Sequence, residues 1–136
     1  MRWISITGVP MLLNRKKVLI ADPSPIFRRT LKAAIETNET LVDVAEADSI
    51  NVAEDILGNH QMDVVFLEIE FPADDGMRLI DFIKGLAADI RIVVLTRQDS
   101  AVRKRAALEK GADYFLSKGR VHGLRLVDVI HAAIRR

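Results

Sequence analysis

Val64-Val65-Phe66-Leu67-Glu68-Ile69-Glu70-Phe71-Pro72-Ala73-Asp74-Asp75-Gly76 runs four apolar residues straight into a carboxylate, then into an acid-rich turn that glycine closes. The first four residues read as a buried strand: the run is short, three of its four side chains are β-branched or aromatic, and turn residues follow. Beyond Gly76, the spacing of Met77, Leu79, Ile80, Phe82, Ile83 and Leu86 predicts a helix with one apolar face. A strand apolar on both faces belongs in a parallel sheet covered by helices on both sides. Glu68 therefore stands at the carboxyl end of a buried strand, the edge where open α/β sheets place their ligands.

The same strand–helix alternation extends in both directions. Val18-Leu19-Ile20-Ala21 is a first strand ending at Asp22, and Ser24 caps a helix that starts with Pro25 and carries Ile26, Phe27, Leu31, Ala34 and Ile35 on one stripe. Leu41 to Ala47 reads as a second, more exposed strand; Asp48 or Ser49 caps a helix through Leu57 that Gly58 ends. Val64 to Leu67 is the third strand. Ile90 and Ile92-Val93-Val94-Leu95 make the fourth, followed by a helix capped by Ser100, ended by Gly111 and packed through Val102, Ala106, Ala107 and Leu108. Asp113 to Ser117 is the fifth strand, and Leu124 to Ile134 a strongly apolar last helix. Five β–α units without repeats or linkers predict an α/β domain with a parallel sheet between two helical layers.

Composition narrows the function classes. A chain of 136 residues with 49% hydrophobic content suits one domain with a full core. Twenty basic residues against 19 acidic ones leave a net charge of +1, which gives no support for direct nucleic-acid or membrane binding. No cysteine is present, so disulfides, thiolate catalysis and Cys-based zinc sites are excluded, and a cytoplasmic, reducing location fits. No uninterrupted apolar run approaches the ~18 residues of a membrane span. Residues 1–16 are expected to form an N-terminal extension, poorly tied down unless it joins a sheet, ahead of a domain at 17–136; Met11 competes with Met1 as the natural start. His60, His122 and His131 are scattered, and the nine-residue step between the last two is not ligand spacing, so both read as surface residues.

Strand ends gather a polar set: Asp22 and Pro23 after strand one, Glu68 and Glu70 after strand three, Thr96 after strand four and Lys118 after strand five. Carboxylates, a hydroxyl and a lysine at matching strand ends suit a hard cation with a phosphoryl group. Polar loops at a sheet edge are the plain alternative for any one of these residues, though not for the set.

From about Lys17 to Arg136 the chain resembles the receiver domains of bacterial two-component response regulators. The resemblance rests on Val18-Leu19-Ile20-Ala21-Asp22-Pro23-Ser24-Pro25, on Glu68 through Gly76 with Pro72 in register, on Val93-Val94-Leu95-Thr96, and on Lys110-Gly111-Ala112-Asp113-Tyr114-Phe115-Leu116-Ser117-Lys118. It implies a flavodoxin-like (βα)5 three-layer sandwich with strand order 2-1-3-4-5. It also implies roles by position: an Mg²⁺-binding acidic pair at Asp22 and Pro23, the phosphoacceptor at Glu68, a metal-contacting carbonyl at Glu70, the switch hydroxyl and aromatic at Thr96 and Phe115, and the phosphoryl-pairing lysine at Lys118. The family uses its fourth helix, fifth strand and fifth helix for dimerisation or output contacts. A histidine kinase, an output domain or another regulator is therefore the implied partner, and a homodimer the alternative assembly. Arg97, Arg103, Lys104, Arg105 and Lys110 make the fourth helix basic, either as a solvated face or as a patch for an acidic partner.

Three departures weigh against the family's usual chemistry. Pro23 removes a metal-ligating carboxylate, so Mg²⁺, with Asp22, Glu68 and Glu70 as its candidate ligands, is disfavoured. Glu68 replaces aspartate and reaches about 1.5 Å further, one carbon–carbon bond; a misplacement of ~1 Å can cost ~100-fold in a tight attack geometry. Gly119 replaces the proline usual after the lysine, which predicts a trans Lys118–Gly119 bond. The expectation is a non-enzymatic pseudo-receiver that needs no cofactor and works by protein–protein interaction in phosphorelay signalling. Glu68 would be held by Lys118 and a Thr96 hydrogen bond, with one negative charge where a phosphoryl group carries roughly −1.5 to −2. Either this fixes an active-like state, or Glu68 and Lys118 merely neutralise each other in a static docking module. A conventional Mg²⁺-dependent receiver with a tolerant acceptor is the second reading. A flavodoxin-like ligand-binding protein or enzyme is the third, opposed by the scarcity of free backbone N–H groups in Pro23-Ser24-Pro25.

Overall fold

A computed structural model of the chain describes residues 3–4, 11–12, 15–120 and 123–135. The elements run β1 (Trp3–Ile4), β2 (Met11–Leu12), β3 (Lys16–Ala21), α1 (Pro25–Asn38), β4 (Val42–Ala47), α2 (Ile50–Asn59), β5 (Val64–Leu67), β6 (Glu70–Phe71), β7 (Asp74–Asp75), α3 (Met77–Leu86), β8 (Arg91–Thr96), α4 (Ala101–Lys110), β9 (Tyr114–Ser117) and α5 (Gly123–Arg135). The central sheet is parallel, with order β4-β3-β5-β8-β9, which counts as 2-1-3-4-5 among its own strands. It starts at Lys16, one residue before the expected domain boundary. β1 and β2 pair antiparallel, Trp3 opposite Leu12 and Ile4 opposite Met11.

Strand alternation sorts the core into two layers. Leu19, Ala21, Val65, Leu67, Ile92 and Val94 pack against α2, α3 and α4 through Ala53, Leu57, Leu79, Ile80, Ile83 and Ala107. Val18, Ile20, Val64, Phe66, Val93 and Leu95 pack against α1 and α5 through Leu31, Ile35, Val129, Ile130 and Ala133. The three-layer sandwich follows.

Local signals act as sequence physics dictates. The hydroxyls of Ser24, Ser49 and Ser100 accept the N–H groups of Phe27, Val52 and Arg103 at the starts of α1, α2 and α4. Gly111 ends α4 at φ 116°, a left-handed cap. Gly58 does not end α2, which continues to Asn59 with His60 as its cap; packing of Leu57 and Ile56 carries the helix through the glycine. Ile26 leaves the expected stripe of α1 and is 72% exposed, because it sits in the first turn beyond the edge of the sheet. Likewise Val102 (77% exposed) and Leu108 (40%) are not packing groups of α4, whose buried residue is Ala107. Ion pairs hold that helix instead: Arg103 to Asp75 at 3.2 Å and Lys110 to Asp81 of α3 at 2.9 Å. His131 is half-buried and meets Glu39, which also binds Arg135 at 2.8 Å, so it pins α5 to the end of α1 rather than lying free on the surface. His122 lies outside the described residues.

Candidate functional site

The sheet's hydrogen-bond ladder runs one residue past three strands. Asp22 N–H donates to Ala47 O at 3.0 Å, Glu68 N–H to Ala21 O at 2.9 Å, and Lys118 N–H to Thr96 O at 2.8 Å. Those bonds fix the backbones of positions 22, 68 and 118 at one edge, and their side chains converge. Lys118 Nζ lies 2.6 Å from Asp22 Oδ2 and 3.0 Å from Glu68 Oε1. All three side chains are sequestered, with 9%, 3% and 5% of their surfaces exposed. Each carboxylate is engaged at its other oxygen too. Asp22 Oδ1 accepts Ser24 N–H at 2.8 Å, and Glu68 Oε2 accepts the N–H groups of Ile69 and Glu70 at 2.7 and 3.0 Å. The extra methylene of Glu68 is thus taken up in folding the carboxylate back onto its own loop.

Around this triad lies a cleft of about 410 Å³ lined by Asp22, Pro23, Ser24, Phe27, Glu68, Glu70, Phe71, Pro72, Arg97 and Lys118. Thr96 ends β8 fully buried, and its hydroxyl accepts Gln98 N–H at 3.0 Å. That hydroxyl therefore shapes the turn after β8 rather than reaching Glu68. Phe115 is partly buried against the core beneath α3 and α4. Among the described residues every peptide bond is trans, Lys118–Gly119 included. The same residues contain no group of three or more His, Cys, Asp or Glu side chains placed to hold a metal ion.

Sequence reasoning passed over three residues that build the site. Phe27 packs against the core on the α1 and α5 side, as its place on the apolar stripe implies, and its ring centroid also lies 4.0 Å from Lys118 Nζ, a cation–π contact. Arg28 Nη1 donates to Asp22 O at 2.7 Å. Arg97 was grouped with the basic helix, but it precedes α4 by four residues and lines the cleft. Phe27 and Arg28 are the third and fourth residues after the Ser24 cap, so the first turn of α1 carries the available signal.

The loop after Glu68 is built to hold its shape. Glu70-Phe71 and Asp74-Asp75 pair as a miniature hairpin, with Pro72 and Ala73 at its tip and Ala73 at φ 58°. Asp75 Oδ1 accepts Met77 N–H at 2.9 Å and so shapes the turn into α3, whose N-cap is Gly76. Burial pushes the Asp75 carboxyl up, but Met77 N–H and the Arg103 guanidinium together hold it below its ordinary value. The Arg78 guanidinium lowers Asp74 in the same way. On the far side of the edge, Ser117 Oγ donates to Asp99 at 2.6 Å and lowers that carboxyl.

Residues 18–131 match the family model of the response regulator receiver domain. The Fimbriae Z protein of Salmonella typhimurium is 32% identical over 101 residues, covering 74% of this chain and 48% of that protein. Response regulator MprA of Mycobacterium sp. is 30% identical over 102 residues, covering 75% of this chain and 44% of its own length. The chain thus spans about half the length of these curated relatives. Among solved structures, a CheY-like receiver domain protein from Methanospirillum hungatei superposes with TM-score 0.81 at 20% identity, over 90% of this chain and 95% of that one. The parallel sheet and its strand order agree with that match, and the chain belongs to the response regulator receiver domain family.

Proposed function

We propose that this receiver domain does not run a phosphoryl switch at its strand-end acid and acts through protein–protein contacts. The observation that carries the reading is the engagement of all four carboxylate oxygens of Asp22 and Glu68 by N–H donors. A nucleophilic carboxylate must present a free oxygen in line with the incoming phosphorus. Glu68 Oε2 already accepts two backbone N–H groups, and Oε1 is ion-paired with Lys118. Pro23 supplies no side-chain ligand, so the donor set does not fit the near-octahedral oxygen shell of Mg²⁺. Glu68 stands at the phosphoacceptor position and Lys118 at that of the pairing lysine, and here they bind each other. No cofactor is needed for such a module, and a non-enzymatic, cytoplasmic role fits a cysteine-free chain in which no described helix could cross a membrane.

The contact face is the surface of α4, β9 and α5. Residues 97–120 hold seven basic against three acidic side chains in a chain of net charge +1. Val102 and Leu108 are exposed among those charges. Two copies meeting through this face would oppose like charges, so the reading favours an acidic protein partner: a kinase, an output domain or another regulator.

Incubation with Mg²⁺ and a small phosphodonor, followed by intact mass, tests the proposal on the wild type beside Pro23→Asp/Glu68→Asp. The wild type is expected to stay unmodified and the double variant to gain an Mg²⁺-dependent phosphoryl adduct. An adduct on wild-type Glu68 would refute the reading and leave a conventional receiver with a tolerant acceptor.

A further inference from the structure

We infer that the acidic partner of the basic face is a second copy of this chain, docking head to tail through the outer face of α2. The inference rests on the proposed reading of the basic face and names its partner. Charge is divided along the chain. Residues 36–63, from the end of α1 through β4 and α2, hold eight acidic side chains and no lysine or arginine, against seven basic and three acidic ones in residues 97–120. The fold sets these two stretches at opposite ends. β4 and β9 are the two edges of the sheet, and α3 touches both α2 and α4 and stands between them in one helical layer. A net charge of +1 puts little general repulsion between copies.

The two outer helix faces are built alike with opposite sign. Asp48, Val52 and Asp55 follow at steps of four and three, one face of α2, away from its buried Ile50, Ala53 and Leu57. Val52 is 40% exposed. Asp43, Glu46 and Glu54 of the same edge are ion-paired within the chain, whereas Asp48 and Asp55 are exposed and form no ion pair among the described residues. On α4, Ala101, Lys104, Arg105 and Leu108 share a face and, with Glu109, line a shallow hollow of about 410 Å³. Lys104 is exposed and forms no ion pair among the described residues, and Arg105 meets only Glu109 of its own helix, at 3.5 Å. One face thus offers two cations beside the exposed Leu108, and the other two carboxylates beside the exposed Val52. Only unlike faces match: α4 on α4 sets cation against cation, and α2 on α2 sets carboxylate against carboxylate. A contact between unlike faces is heterologous. A copy bound through its α4 keeps its α2 free, so the assembly grows beyond two, the helical layer of one copy continuing into that of the next.

Sedimentation equilibrium of the whole chain tests this at about 0.02 and about 0.5 M salt, where charges are screened over roughly 20 and 4 Å. At the lower salt the weight-average mass of the wild type is expected to pass that of a dimer by about 0.5 mM chain, as an open association with a Kd near that value requires. The higher salt should weaken the association about 10-fold. Asp48→Lys/Asp55→Lys and Lys104→Glu/Arg105→Glu should each weaken it at least about 10-fold, because each leaves a chain with the same charge on both faces. Mixed together, the two variants should associate again, since every contact between them pairs unlike faces. Circular dichroism checks their folding, and if either does not fold, the concentration and salt series of the wild type decides alone. A wild type that stays monomeric at the lower salt overturns the inference, as does one whose mass levels off at two copies or ignores salt. Undiminished association of either folded variant alone overturns it too. A monomeric wild type with unmodified Glu68 would sink only this inference and leave the basic face to a different acidic protein. A phosphoryl adduct on Glu68 would sink the proposed function whether or not the copies associate.

Discussion

Gly76 makes the sharpest demand of any position near the site, and Gly76→Ala measures it. The residue has φ −63°, an ordinary helical value, so alanine meets no backbone objection. Propensity alone would make the change harmless or mildly stabilising. Space decides otherwise. A Cβ at position 76 would lie 2.6 Å from Glu68 O, 2.6 Å from Ile69 Cα and 3.0 Å from Ile69 O. Carbon contacts settle near 3.5–4.0 Å, so the Glu68–Ile69 backbone must move by about 1 Å. That backbone carries Glu68, and its Ile69 O accepts Gly76 N–H at 2.8 Å. Overpacking costs about 1–3 kcal/mol, and the upper end applies because the obstacles are main chain. A loss of about 3 kcal/mol lowers the midpoint of a domain this size by roughly 8–12 °C. Gly58 and Gly85 are internal controls, since neither would set a Cβ within 4 Å of anything, and each is the penultimate residue of its helix. Alanine there is expected to add up to about 0.5 kcal/mol each, less than the helix-interior value because each lies one residue from a helix end. Thermal unfolding by circular dichroism reads all three. A Gly76→Ala midpoint equal to or above the wild type would refute the steric argument, and so would a fall for Gly58→Ala or Gly85→Ala.

Two further outcomes concern backbone strain and charge. Ala73→Gly relieves a left-handed alanine worth about 1 kcal/mol but loosens the unfolded chain by about half as much, so a net gain near 0.5 kcal/mol is expected in denaturant unfolding, while Ala73→Val should lose at least about 1 kcal/mol. The hydrogen bonds of Arg15 and Lys17, at 2.9 and 3.0 Å, hold the Asp43 carboxyl below its ordinary value of 3.8. A depressed folded value means that this stabilisation is present above the ordinary value and is lost as pH falls through the folded one. Asp43→Asn should therefore flatten the stability profile below about pH 4 and leave it nearly parallel to the wild type at neutral pH, as read by urea unfolding across the acid range.

Much of the fold could be read from two periodicities and their punctuation. Val64 to Leu67 was apolar throughout because it is covered on both faces, and Ser24, Ser49, Ser100 and Gly111 mark helix ends by groups that satisfy the backbone directly. Periodicity misleads where tertiary position decides burial. Ile26 and Val102 fall on apolar stripes but lie in first helical turns with nothing above them. Gly58 resembles a stop signal, yet burial of Leu57 outweighs the cost of glycine one residue from the helix end. At the site, the strand-end positions of Asp22, Glu68 and Lys118 followed from topology. The pairing of Glu68 Oε1 with Lys118 follows from the same strand ends, whereas the turn of Oε2 onto the Ile69 and Glu70 N–H groups does not, because the loop sets those two donors. Arg28 and Phe27 reach the site across a helix turn, a relation that strand-end reasoning does not address.

The means by which α4 is attached has a consequence for how the domain responds to its surroundings. Its grip depends on two partly exposed ion pairs and one buried alanine, while Arg103 Nε is buried without a hydrogen-bond partner. Water-exposed charge pairs weaken with added salt, over a screening length of about 8 Å at physiological ionic strength, whereas the packing beneath the other helices is indifferent to it. Added salt therefore weakens the attachment of α4 more than that of the other helices, and an acidic visitor competes with Asp75 and Asp81 for the same two cations.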